Sequence, residues 1–142
     1  MKISDVVRRK GDSVVTVRSD ATVIDLMALL AEHRIGAVVV SDDAAAVDGI
    51  VSERDIVRHL ATEGSSVLEG PVAAIMTTIV HTCAPEDDLT DLAATMTERR
   101  IRHVPVVVDG RLQAIVSIGD VVKSRIETLQ AEAAHLRDYI QT

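Results

Sequence analysis

The sequence predicts an α/β fold: two tandem copies of one βαββα-type unit, packed together as a pseudo-symmetric pair, followed by an extended C-terminal helix. Three observations predict it: an internal repeat, the strand and helix periodicities within each copy, and a heptad-spaced apolar stripe at the end of the chain. At a shift of 66 residues, Asp25-Leu26 falls on Asp91-Leu92, Glu32 on Glu98, Arg34-Ile35 on Arg100-Ile101, and Val38 and Val40 on Val104 and Val106. After a one-residue length change, Ile50-Val51-Ser52 and Asp55 fall on Ile115-Val116-Ser117 and Asp120. This divides the 142 residues into a first repeat over 1–62, a linker over 63–71, a second repeat over 72–124 and a C-terminal helix over 125–142.

Within each copy a short apolar segment, Val14 to Val17 or Ile79 to Cys83, runs into a polar turn at Ser19-Asp20 or Pro85-Glu86 that ends the extended chain. A helix follows. Its apolar face is Val23, Leu26, Met27 and Leu30 in the first copy and Leu89, Leu92, Ala93 and Met96 in the second. Thr22 with Asp25, and Asp88 with Asp91, have the spacing of a helix N-terminal box. The β-branched runs Ala37 to Val40 and Val104 to Val108 read as buried strands. Asp48-Gly49 and Asp109-Gly110 turn the chain back into a second strand, Ile50-Val51 or Leu112 to Val116. Ser52 or Ser117 then opens another helix. Glu63 to Gly70-Pro71 reads as the linker, and two units with one open apolar face each bury it most simply against each other.

Composition narrows the function. Acidic and basic residues are interspersed at a net charge of −7, which argues against a nucleic-acid binder. Phe and Trp are absent and Tyr139 is the only aromatic residue, so no stacking platform exists and a flat ligand must lie between aliphatic side chains. His33, His59, His81, His103 and His135 show no metal-ligand spacing, and no metal site or catalytic machinery is expected. Cys83 stands alone and reads as a small buried hydrophobe. With no signal-peptide pattern and no apolar stretch approaching the roughly 20 residues of a membrane span, the expectation is a soluble, cytoplasmic protein with no membrane partner.

The duplicated Ser-x-x-Asp is the best candidate for a working site. A helix N-terminus and a Ser hydroxyl suit phosphate, while a carboxylate suits the paired hydroxyls of a ribose. The alternative is that Ser52 with Asp55, and Ser117 with Asp120, only cap their own helices. The order strand, Ile-Val-Ser-x-x-Asp, helix, occurring twice after strand, helix and strand, resembles the tandem cystathionine-β-synthase (CBS) domain pair, or Bateman module. The family signature reads Gly49-Ile50-Val51-Ser52-Glu53-Arg54-Asp55 in the first copy. In the second it reads Ala114-Ile115-Val116-Ser117-Ile118-Gly119-Asp120, departing at the leading Gly.

That resemblance implies two clefts for adenosine-containing ligands such as AMP, ADP, ATP or NAD. It assigns the ribose to Asp55 and Asp120 and the phosphate to Ser52 and Ser117. Ala37, Val38, Val104 and Pro105 would flank the adenine, with Thr16 and Thr82 at the strand entry. A basic pair before the second copy's strand, Arg102-His103, would meet phosphate, whereas the first copy has Gly36-Ala37 there. Arg54 lies inside the first turn and Gly119 replaces it in the second, so the two clefts are expected to be unequal in phosphate preference.

In the tail, Val122, Ile126, Leu129, Ala133, Leu136 and Ile140 alternate in steps of four and three, the seam of a coiled coil. A homodimer contact is the expectation, with docking onto the chain's own domain as the alternative. The leading functional expectation is a stand-alone regulatory module that senses energy or redox state through an adenine nucleotide and acts on an unidentified protein. An interaction protein that uses its C-terminal helix without any ligand is the runner-up, and an enzyme acting on a nucleotide is third.

Overall fold

The computed structural model describes residues 1–11 and 13–141. The expected first repeat includes Asp12 and the expected C-terminal helix ends on Thr142, and both positions lie outside the described residues. In chain order the elements are α1 (Ile3–Lys10), β1 (Thr16–Val17), α2 (Val23–His33), β2 (Ala37–Val40), β3 (Gly49–Ser52), α3 (Glu53–Glu63), α4 (Leu89–Arg99), β4 (His103–Val108), β5 (Arg111–Ser117) and α5 (Ile118–Gln141), with 3₁₀ turns at Ser65–Glu69 and Val72–Ala74. β1, β2 and β3 form one sheet, with β1 parallel and β3 antiparallel to β2. β4 and β5 form an antiparallel hairpin whose turn, Asp109-Gly110, has positive φ at both residues. That backbone matches the twist of the flanking strands.

The second copy's expected first strand is reduced to one parallel bridge, Cys83 to Val106. It keeps the register of its counterpart, since Val17 pairs with Val40. Ile79 and Val80 do not join the sheet and Ile79 is 93% exposed. On α2, Val23, Leu26 and Leu30 are buried but Met27 is 42% exposed, so the buried arc is narrower than the periodicity implied. Thr22 and Asp25 form the expected reciprocal box, whereas Asp88 instead takes the Thr90 N–H at 2.7 Å. The segment read as a linker carries the first 3₁₀ turn and buries Val67.

The two hydrophobic cores exchange their leading segments. Ile3, Val6 and Val7 of α1 pack into the second copy's core with Leu89, Leu92, Met96, Val104 and Val116. Val67 of the linker, with Val72 and Ile75 at the start of the second copy, packs into the first core with Val23, Leu26, Val38 and Val51. The backbone bonds are duplicated as well. Ile3 N–H donates to Asp87 O at 3.0 Å and Val72 N–H to Ala21 O at 2.8 Å, while Ser4 N–H donates to Pro85 O and Ala73 N–H to Ser19 O. Each fully buried aliphatic side chain in these segments contributes about 1.5–3 kcal/mol, so the exchange holds the copies together. No α1 was expected from the sequence, because a short helix with only three buried residues is decided by the core it enters.

The exchange also accounts for the missing Gly. Beyond Ile75 the chain crosses β3, and Thr77 pairs with Ile50 through two 2.9 Å backbone bonds. A Cβ on Gly49 would lie 2.9 Å from Thr77 O and 2.8 Å from Met76 Sδ, so only glycine fits. In the second copy α1 stays helical to Lys10, and the Lys10 ammonium, not a crossing backbone, reaches Ile115 O at 2.8 Å. Ala114 is accommodated there, buried at 3% exposure. Among the described residues no helix is long and apolar enough to cross a membrane.

Candidate functional site

Both Ser-x-x-Asp corners fold alike. Asp55 Oδ2 accepts the Ser52 N–H at 2.8 Å and the Ser52 hydroxyl at 3.0 Å, while Ser52 Oγ accepts the Asp55 N–H at 3.3 Å. At the second corner the same three bonds measure 2.8, 3.0 and 3.2 Å. Each is therefore a capping box that satisfies N–H groups of its own helix. Asp55 and the first turn of α3 also line the space in front of the corner.

In front of the first corner is a cleft of about 770 Å³, a size suited to a small-molecule ligand. One wall is Gly36, Ala37 and Ile50 with Ser52, Glu53, Arg54, Asp55 and Arg58 of the first copy. Thr77, paired to Ile50, borders that wall, and the other is Ile79, Val80 and His81, with Arg99, Arg100, Ile101, Arg102 and His103 at the entry to β4. That second wall is aimed by a left-handed turn. Arg100 ends α4 at φ 55°, and Ile101 N–H returns to Met96 O at 3.0 Å. Arg34 makes the same left-handed turn after α2, at φ 53°.

Arg54 and the Arg102-His103 pair were expected to mark separate clefts, and the structure puts them on one. The two copies meet so that the entry to β4 faces the first corner, with His103 Cε1 4.0 Å from where a Gly36 Cβ would stand. Ala37, Ser52 and Asp55 join them. Val38 and Val104 do not line this cleft, because strand alternation turns their side chains into the two cores. Pro105 is buried opposite Ile115 in the hairpin. Thr16 is held opposite Val39 in the first sheet, outside the cleft. Thr82 lines a separate cavity of about 180 Å³ with Asp87, Asp88 and Asp91. Reading the residues singly missed Arg58, Arg99, Arg100, Ile79 and Val80. The signal available was the run Arg99-Arg100 just before Arg102.

Ser117 and Asp120 lie at the other corner, and a cation already occupies it. Lys10 Nζ sits 2.7 Å from Asp120 Oδ2 and 2.8 Å from Ile115 O. Burial opposes the Asp120 charge, but the Lys10 ammonium and the Ser117 N–H outweigh it and hold its carboxyl below the usual range. His103 lies between the two corners. Burial first and the Lys10 ammonium next hold its imidazole below the ordinary value, with Arg102 adding to this and Asp120 and Glu53 pulling the other way. Burial, with Asp87 nearby, pushes the Cys83 thiol up to about 12, so it is no nucleophile at neutral pH.

Known proteins share this architecture. The CBS domain model matches residues 3–62 and again 72–127. A CBS-domain containing protein from Agrobacterium tumefaciens superposes with a TM-score of 0.85 at 43% identity, over 88% of this chain and 99% of that one. A CBS domain protein from Pyrobaculum aerophilum, solved in complex with AMP, superposes with a TM-score of 0.72 at 30% identity, over 84% of this chain and 89% of that one. A mitochondrial CBS domain-containing protein of Arabidopsis thaliana is 36% identical over 98% of this chain and 71% of its own length. With the duplicated Ser-x-x-Asp corners, the exchanged cores and two matches to the family model that together span most of its length, this chain belongs to the CBS domain family as a tandem pair.

Proposed function

We propose that this chain is a regulatory module that binds an adenine nucleotide in the cleft in front of Ser52 and Asp55 and transmits its occupancy to a partner protein. One observation carries the reading: the convergence of a ribose-type carboxylate, a helix N-terminus and five arginines on a cleft with aliphatic walls. Adenine fits between Ala37, Ile50, Ile79 and Val80, in keeping with a chain that has no Phe or Trp. The ribose hydroxyls fall to Asp55, and the phosphates to Ser52 and the first turn of α3.

The arginines argue for more than one phosphate. Among the described residues none of Arg54, Arg58, Arg99, Arg100 and Arg102 is held in an ion pair, and the carboxylates beside them are Glu53 and Asp55. Such a wall favours ATP, ADP or the pyrophosphate of NAD over AMP. The complex of the Pyrobaculum relative with AMP supports an adenosine ligand in this chain too. Because one wall comes from each copy, a ligand that bridges them changes how the copies sit together. It shifts that balance only as far as it binds one arrangement better than the other. No residue of the cleft is assigned a catalytic step. The lone buried Cys83 suits a reducing cytoplasm as the compartment.

Calorimetric titration with ATP, AMP and NAD tests the proposal. Binding of about −4 to −8 kcal/mol, the millimolar to micromolar range, is expected, with ATP ahead of AMP. Flat traces for all three, with folded protein, would remove it.

A further inference from the structure

The C-terminal helix leaves its domain early. Of α5 only Val121 and Ser124 are buried, and every residue from 129 to 141 is exposed. At 1.5 Å per residue that arm is about 20 Å long. A helix of this length is marginal in water on its own, although its first turns are already anchored on the domain.

The apolar stripe runs from Val122 onto the arm, and the domain leaves its large side chains exposed. Val122, Ile126, Leu129, Leu136 and Ile140 are between 47% and 79% exposed. In heptad terms Ile126, Ala133 and Ile140 occupy the a positions and Val122, Leu129 and Leu136 the d positions. Isoleucine at a with leucine at d favours two parallel strands.

The flanking charges make the same choice. Arg125 and Glu132 fall at g positions, and Lys123, Gln130 and Arg137 at e positions. In a parallel pair each Glu132 meets the partner's Arg137, and each Arg125 meets the partner's uncharged Gln130. An antiparallel pair that overlaps the whole stripe sets Val122 opposite Ile140. It then opposes Lys123 to Arg137 at both ends and Glu132 to its own copy in the middle. Like charges so placed are destabilising.

We propose that α5 joins a second copy of this chain as a parallel two-stranded coiled coil, in register, with Glu132 paired to Arg137 across the seam. The contact does not depend on nucleotide binding and is tested separately from it. In the full chain, Leu129→Cys should form a disulfide-linked dimer on mild oxidation, because equal d positions face each other in this register; Cys83 is buried and does not compete. Sedimentation equilibrium should give a dimer. Glu132→Arg should weaken it by about fivefold, and adding Arg137→Glu should restore it. A monomer at tens of micromolar would overturn the proposal. So would cross-linking confined to mixtures of Leu129→Cys and Ala133→Cys chains, the antiparallel pairing, or a dimer untouched by Ile126→Asp with Ile140→Asp. Circular dichroism of each variant separates lost association from lost folding.

Discussion

The two Ser-x-x-Asp corners are nearly superimposable inside and opposite in their surroundings. Their capping bonds agree to within 0.1 Å. Yet the first faces a cleft and the second holds Lys10. At the positions equivalent to Arg54, Arg58, Arg99, Arg100 and Arg102, the other copy has Gly119, Lys123, His33, Arg34 and Gly36. Duplication has thus kept the fold of the corner, which its helix cap requires, while the residues that face outward have diverged. Chemistry at such a site is decided by what is aimed at it across the pair.

Four experiments bear on this contrast. The largest effect is expected at the ribose carboxylate. Asp55→Asn should weaken ATP binding about 30-fold, since a charged hydrogen bond is worth about 1.5–3 kcal/mol, while Asp120→Asn should change it by no more than about twofold. Equal effects in calorimetry would erase the distinction. Next, Arg99→Gln with Arg100→Gln should lower ATP affinity about tenfold and AMP affinity about threefold, and should flatten the dependence on salt. A parallel loss for both ligands would show that these arginines do not read phosphate number.

The third effect is pH-dependent. His103 is held below its ordinary value in the free protein, so it is neutral at pH 7 and its site gains a proton more readily once phosphate lies nearby. The groups around it are Lys10, Arg102, Glu53 and Asp120. Affinity for ATP should therefore rise about threefold from pH 7.5 to 5.5 with uptake of a proton, and His103→Gln should abolish the rise. Titration in buffers of different ionisation enthalpy reads that proton directly.

The smallest effect concerns Lys10. Lys10→Ala should cost less than about 1 kcal/mol of stability, because the pair is partly exposed and screened, but it should uncover a second, weaker nucleotide site. Asp120 has its carboxyl held down in the folded state, so its contribution is complete above 3.8 and is lost as the pH falls through the lower folded value. The variant should lose less stability over that acid range. A stoichiometry fixed at one site with Lys10 removed would mean that Lys10 is not what closes the second corner.

Much of this could be read from the residues in order. Local rules predict Ser52 and Ser117 as caps, the strands around Val38 and Val104, and the hairpin at Asp109-Gly110, because each is settled within a few neighbours. How the basic residues divide between the two corners was not legible, since Arg54 and Arg102 are assigned to one cleft or to two only by how the copies dock. Lys10 was invisible for the same reason: its partners, Ile115 and Asp120, lie more than a hundred residues away. Ile79 and Val80 carry strand-like β-branched side chains, but they face the cleft and only Cys83 stays in register with the sheet.

The exchanged segments have a consequence for synthesis. As the chain emerges, the first core is incomplete until Ile75 has been made, and the buried face of α1 finds no shelter until β5 supplies Val116. The earliest residues are thus among the last to be protected. A ribosome-bound first repeat should bind chaperones or aggregate rather than wait in a folded state, and the pair should acquire protease resistance in one late step.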